Sequence, residues 1–205
     1  MLLEQQIKQC NKCSLYTKLP NGCHPVPGIG PINAKIMIIG EALGEEESIL
    51  EEPFVGKCGK LLDKMLNAAG IQRNECYITN LVKCRPYTET QRGKRVTKKN
   101  RPPTRLEISS CFDWLRKEVE MVKPRVIFTL GRLPLDTLLN LRTSEKLSDY
   151  VGRCIMTKCS SLPDIDPIVS ALFPCYHPSY ILQHSKNDVE TTIEIFKNAK
   201  TLYYN

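Results

Sequence analysis

The chain has 205 residues and a mass of 23.3 kDa, is 41% hydrophobic and 25% charged, and so has the size and mix of one soluble globular domain. That balance excludes collagen-like, disordered and disulfide-knot classes. The net charge of +7 is local: of the 29 basic residues, seven (Arg92, Lys94, Arg95, Lys98, Lys99, Arg101 and Arg105) lie within 92–105, which holds no acid, and the other bases balance the 22 acids. Such a segment is either a solvated loop or a contact for a polyanion.

In chain order, residues 1–13 are a short polar segment ending in Cys10-x2-Cys13, and residues 20–33 are an irregular Pro- and Gly-rich loop. Residues 35–40 (KIMIIG) are an apolar run cut off by Gly, which predicts a buried parallel strand. Leu61, Leu62, Met65, Leu66 and Ala69 recur at helical spacing and predict a helix over 56–69, capped by Gly70. Residues 76–82 are a second strand and 85–105 a long polar loop. Thr104 and Glu107 form a capping box for a helix to about Val122. A third strand over 124–130 precedes a helix through about Leu139. Residues 141–166 have little pattern beyond a short hairpin. Residues 167–173 are a fourth strand, and a last helix covers 188–202.

Strands that alternate with helices predict a three-layer α/β/α fold, a single domain over 1–205 with a mainly parallel four-stranded sheet and a basic inserted loop at about 85–105. Ligands of such sheets bind beyond the carboxyl ends of the strands. Glu41 in the Gly40–Gly44 turn, Asn80, Gly131 and His177 all fall at predicted strand ends, which locates a candidate site.

The ten cysteines would suit disulfides in a secreted chain, but the start has no apolar signal core and no small-residue cleavage site. No run approaches the ~18 apolar residues of a membrane span. A cytosolic protein with reduced thiols is therefore expected. Cys10-x2-Cys13 has metal-ligand spacing, and Cys84 and Cys111 are candidate further ligands; spacing alone leaves zinc and an iron–sulfur cluster both open. Cys76 reads as core. In His177-Pro178-Ser179 the proline fixes the backbone, and Ser179 offers a hydroxyl and an N–H to an anion.

Taken together, Cys10-x2-Cys13, Gly40-Glu41-Ala42-Leu43-Gly44-Glu45-Glu46-Glu47, Pro53-Phe54-Val55-Gly56-x2-Gly59-x-Leu61-Leu62, Thr79-Asn80-x2-Lys83-Cys84-Arg85-Pro86, Cys111 and His177-Pro178-Ser179 resemble the family 4 uracil-DNA glycosylases, iron–sulfur enzymes of bacteria and archaea. Each motif is weak alone; their order and spacing over most of the chain are specific. The resemblance implies a [4Fe–4S] cluster on Cys10, Cys13, Cys84 and Cys111. It implies a uracil site in which Phe54 stacks on the flipped base, the Asn80 amide reads its edge, His177 faces O2, Glu41 takes the place where related families use a water-positioning acid, Ala42 beside it binds substrate, and Glu47 helps exclude the thymine methyl. Ile181 stands where a relative's wedge residue fills the base stack. The implied partner is uracil-containing DNA, with Ser179 and Ile181 as contacts, and the charge of the basic segment adds Arg92, Lys94, Arg95, Lys98, Lys99 and Arg101 as expected contacts; the implied enzyme is a monomer without membrane attachment that releases uracil and leaves an abasic site. Leu43 replaces the family's usual Pro, and the loop between Cys84 and Cys111 is longer than usual. Residues 85–110 hold no histidine, so turnover is expected rather than the covalent trapping seen in a related branch. The competing readings are a nonenzymatic DNA-binding module of the same fold and a zinc-bound nucleotide-binding protein.

Overall fold

The computed structural model describes residues 1–141, 144–156, 171–185 and 187–204, with side chains through 201. Its elements are α1 (Leu3–Lys8), β1 (Ile36–Ala42), α2 (Glu45–Leu50), α3 (Lys57–Ala68), β2 (Cys76–Val82), β3 (Tyr87–Arg92), β4 (Arg95–Asn100), α4 (Arg105–Val122), β5 (Val126–Leu130), α5 (Arg132–Leu139), β6 (Ile155–Met156), β7 (Ala171–Cys175), α6 (Pro178–His184) and α7 (Asn187–Tyr204).

The main sheet runs β2-β1-β5-β7-β6. The first four strands are parallel, and β6 adds a two-residue antiparallel edge. The expected four-stranded sheet therefore has a fifth strand, too short to carry an alternation that a sequence could reveal. Side chains of β1 alternate between two cores. Ile36 and Ile38 pack with Leu62, Met65 and Leu66 of α3 and Phe196 of α7. Met37 and Ile39 pack with Trp114, Leu115 and Val119 of α4 and Leu135 of α5. Helices thus cover both faces. Parallel pairing aligns the strand ends, so Asn80, Gly131 and His177 and the half-buried Glu41 share one edge of the sheet.

The capping box forms: Thr104 Oγ1 accepts from the Glu107 N–H at 3.2 Å, and Glu107 Oε2 accepts from the Thr104 N–H at 2.7 Å. The Arg101 guanidinium, bidentate on Glu107 at 2.8 and 2.6 Å, is the main cause that holds that carboxyl down to about 2.

The polar loop expected over 85–105 is instead an antiparallel hairpin. β3 and β4 pair from Tyr87↔Asn100 to Arg92↔Arg95 around the two-residue turn Gly93-Lys94, with Gly93 at φ 60°. Its β-branched residues (Thr88, Thr90, Val96, Thr97) favour strand, but its polar faces carry no hydrophobic alternation. The first strand extends past Gly40 and takes in Glu41 and Ala42. The expected fourth strand is found over Ala171–Cys175, and residues 167–170 lie outside the described residues. Much of the hairpin expected in 141–166 also lies outside them; the part described contributes β6, which pairs with β7.

Lys83 and Glu118 form an ion pair, at 1% and 0% side-chain exposure, between β2 and α4. Lys83 Nζ donates to Glu118 Oε2 and Thr79 Oγ1, both at 2.6 Å, and to the Asn80 carbonyl at 2.8 Å. Thr79 Oγ1 and the Gly28 N–H donate to the same carboxylate at 2.8 and 2.7 Å. A buried pair is tolerable when its remaining hydrogen bonds are met, as here, and costly when one partner goes. Lys83→Met is expected to cost ~3–5 kcal/mol in urea unfolding, with Lys83→Met/Glu118→Leu recovering part of it. A single variant within 1 kcal/mol of wild type would show the pair to be dispensable.

Candidate active site

The site is built around Gly40. A Cβ there would lie 2.3 Å from Asn80 Oδ1 and 2.5 Å from the Phe54 ring, so only glycine lets these two side chains close over β1. Phe54 sits at φ 57°, a strained conformation for a non-glycine residue. Gly59 accommodates that bend, because a Cβ at 59 would fall 1.7 Å from the Phe54 carbonyl oxygen. The Phe54 ring is 6.2 Å from the His177 ring, tilted by 36°.

Asn80 is 3% exposed, and its Oδ1 is buried without a hydrogen-bond donor among the described residues. Buried acceptors are almost always paired, and one left open at the base of a cleft points to a donor arriving with a ligand. The Lys83 ammonium bonds the Asn80 backbone carbonyl and so pins the strand that carries this amide.

His177 caps α6. The Ser179 N–H donates to His177 Nδ1 at 3.1 Å, with Ser179 Oγ 2.7 Å from the same nitrogen. A backbone N–H can only donate, so Nδ1 accepts and the ring proton is on Nε2. Desolvation pushes His177 down to about 4, partly opposed by Glu47, so the ring is neutral at pH 7. Both groups of Ser179 that the sequence offered to an anion are thus engaged with His177.

Glu41 is half-buried, and desolvation raises its carboxyl above the ordinary value. Glu47 is buried; its Oε1 accepts from the Gly56 N–H at 2.9 Å and braces the entry to α3. These residues line a cleft of about 930 Å³ together with Ala42, Pro86, Asn100 and Tyr180.

Ile181 departs from expectation. It is 3% exposed and belongs to the core beside α3, because α6 begins at Pro178 and turns this position inward. A wedge must be exposed; on this helix Tyr180 and Leu182 are, at 44% and 54%. The basic candidates also separate. Arg101 is tied to Glu107, and Lys98 Nζ lies 5.1 Å from the centre of the Tyr87 ring. The side chains of Arg92, Lys94, Arg95 and Lys99 are exposed and have no partner among the described residues.

Cys10, Cys13, Cys84 and Cys111 converge on the α4 face of the sheet. Burial is the main cause raising Cys84, with Cys111, Cys13 and Cys10 adding to it, and burial pushes Cys111 up to about 11. The Trp114 indole N–H donates to Cys10 Sγ at 3.1 Å and the Lys83 N–H to Cys111 Sγ at 3.3 Å, the contacts that thiolate ligands accept. Among the described residues no three His, Cys, Asp or Glu side chains are grouped closely enough to hold a single metal ion. A four-iron cluster takes one thiolate per iron and so spreads its ligands more widely than one ion does.

Sequence reasoning left Lys83 without a role and did not single out Glu118. Glu118 had a signal: it falls four residues from Trp114 and from Val122 on the buried stripe of α4, where an unpaired carboxylate could not remain.

The sequence matches the family model described as the Uracil DNA glycosylase superfamily over residues 27–200. It is 35% identical to the type-4 uracil-DNA glycosylase of Pyrobaculum aerophilum, over 88% of this chain and 83% of that protein. It is 42% identical to that of Saccharolobus solfataricus (88% and 76%) and 32% identical to that of Thermotoga maritima (98% and 92%). The solved structure of SMUG2 from Pedobacter heparinus shares the fold, with a TM-score of 0.54 at 13% identity over 84% of this chain and 77% of that one. The chain belongs to the uracil-DNA glycosylase superfamily, and with type-4 relatives matched along nearly its whole length it is a uracil-excising repair enzyme.

Proposed function

We propose that uracil flipped out of DNA enters the cleft edge-on to Asn80, beneath Phe54, with its O2 toward His177. A base must leave the stack before its glycosidic bond is reachable. The observation that carries this reading is the open Asn80 Oδ1. Uracil N3–H is a donor that fills it while the amide NH2 donates to O4; cytosine has the opposite pattern and leaves both groups unpaired. Phe54 supplies a flat surface for the ring. Cleavage leaves negative charge on uracil, and the neutral His177 donates from Nε2 toward O2 as that charge develops. Ser179 acts through His177 by holding its tautomer. Glu41 steadies the cationic sugar or orients the attacking water, Ala42 shapes the floor beside it, and Glu47 narrows the side that a thymine methyl would need. With water as acceptor the products are free uracil and an abasic site, and no histidine in 85–110 is available to trap the sugar.

Cys10, Cys13, Cys84 and Cys111 would hold a [4Fe–4S] cluster, supported by their convergence and the N–H···S contacts. When bound, the cluster supplies a cross-link between the N-terminal segment, the end of β2 and α4. The basic segment contacts the DNA carrying the uracil, and the enzyme works as a monomer in the cytoplasm. No described helix is long and apolar enough to cross a membrane.

Purified protein is expected to release uracil from U:G, U:A and single-stranded oligonucleotides, and Asn80→Ala to lose ~10²–10³ in rate while folded. Background release by the wild type would defeat the enzymatic reading and leave the DNA-binding module. The protein is expected to be brown and to contain iron, with Cys84→Ser losing both iron and visible absorption; a colourless, zinc-containing protein would favour the zinc reading. As pH falls, protonation of Glu41, whose carboxyl desolvation raises above its ordinary value, is expected to give the rate profile an acid limb that Glu41→Gln should lose. Between pH 6.5 and about 4 the unfolded chain binds a proton that buried His177 does not, so stability declines through that window. His177→Gln should flatten this decline in denaturant titrations, and an equally steep decline would mean another group carries it.

A further inference from the structure

The hairpin over 87–100 has two unlike faces. Cross-strand partners share a face. The inner face, marked by buried Tyr87, carries Tyr87 opposite Asn100, Glu89 opposite Lys98, and Gln91 opposite Val96. Its charges are matched. It is also anchored: Asn100 Oδ1 accepts from Arg85 Nε at 2.7 Å, and Arg85 Nη1 donates to Glu45 at 2.8 Å. The outer face carries Thr88 opposite Lys99, Thr90 opposite Thr97, and Arg92 opposite Arg95. It has three cations, three hydroxyl side chains and no acid. Like charges directly opposite destabilise a strand pair, and Arg92 and Arg95 face each other at the last pair before the turn. Nothing among the described residues neutralises them. An anion lying across this face would.

We propose that this outer face, Thr88, Thr90, Arg92, Arg95, Thr97 and Lys99, is a ribbon that follows the sugar–phosphate backbone of the DNA whose base occupies the cleft. The inference rests on the uracil-excision reading and refines it by assigning only part of the basic segment to DNA. Position selects the partner, since Pro86 and Asn100 at the hairpin root line the cleft that takes the base. Chemistry agrees: guanidinium, ammonium and hydroxyl groups are the usual partners of phosphate oxygens. Arg95 to Lys99 spans ~13 Å at strand rise, roughly two to three phosphates along the path of one strand, whose backbone is longer than its ~3.4 Å axial rise per nucleotide. Lys98 and Arg101 are committed to the protein and take no part.

The test is the salt dependence of binding to an oligonucleotide that carries an uncleavable deoxyuridine analogue. Arg92→Ser/Arg95→Ser/Lys99→Ser should lower the slope of log K against log salt by about two to three units, since each phosphate contact contributes close to one. Lys98→Ser should leave the slope unchanged, and Arg92→Lys/Arg95→Lys/Lys99→Arg should retain it. The ribbon is overturned if the triple serine variant keeps the wild-type slope, if Lys98→Ser alone reproduces the loss, or if the charge-preserving variant loses it too. Uracil release by the wild type is measured in parallel. Background release counts against the enzymatic reading alone, whereas full release with unchanged slopes counts against the ribbon alone.

Discussion

The absence of a side chain at position 40 is the constraint from which the site follows. Two side chains from separate segments, the Asn80 amide on β2 and the Phe54 ring on the loop before α3, need the volume that a Cβ at position 40 would take. Asn80 Oδ1 is buried there with no donor among the described residues. An open buried acceptor is a cost to the folded state. In the proposed reading the arriving base supplies the donor, and the same cost becomes discrimination, because a base with the wrong edge leaves the cost in place. Phe54 shows the same trade: its strained φ is retained beside Gly59, where the ring meets the cleft.

Two networks hold this arrangement from below. Lys83 links the carbonyl of Asn80 to Glu118 on α4, and its own N–H reaches Cys111 Sγ. Asn80 and the group of cysteines are therefore joined through a single lysine. On the other side Ser179 fixes the tautomer of His177, so the donor aimed at the site is set by α6 and needs no protonation event. Electrostatics within the cleft are thus arranged before DNA arrives, which is what preorganised stabilisation of a developing anion requires.

Much of this was legible in the sequence wherever one residue type has one physical reading. Apolar runs gave the parallel strands, two of them ended by glycine, helical spacing gave α3, and the Thr104–Glu107 box gave the start of α4 to the residue. The strand ends pointed to Glu41, Asn80 and His177. The hairpin was read as loop because its faces are both polar, so period-two patterning had no contrast to show. Ile181 was placed at the DNA by motif position, but a helix starting at Pro178 turns it into the core, a consequence of local backbone geometry that residue identity does not carry. Glu118 was passed over because its partners lie 35 and 39 residues away in sequence.

The central claim is that Asn80 Oδ1 waits for the N3–H of uracil. It is tested most directly by comparing excision of uracil and of N3-methyluracil from the same single-stranded oligonucleotide, where base pairing does not enter. The methyl group removes the donor and leaves O2, O4 and the glycosidic bond in place. The account expects N3-methyluracil to be released slower by a factor of at least ~10², with the residual rate insensitive to Asn80→Ala. Equal rates for the two bases would contradict it, since the buried oxygen would then play no part in recognising uracil.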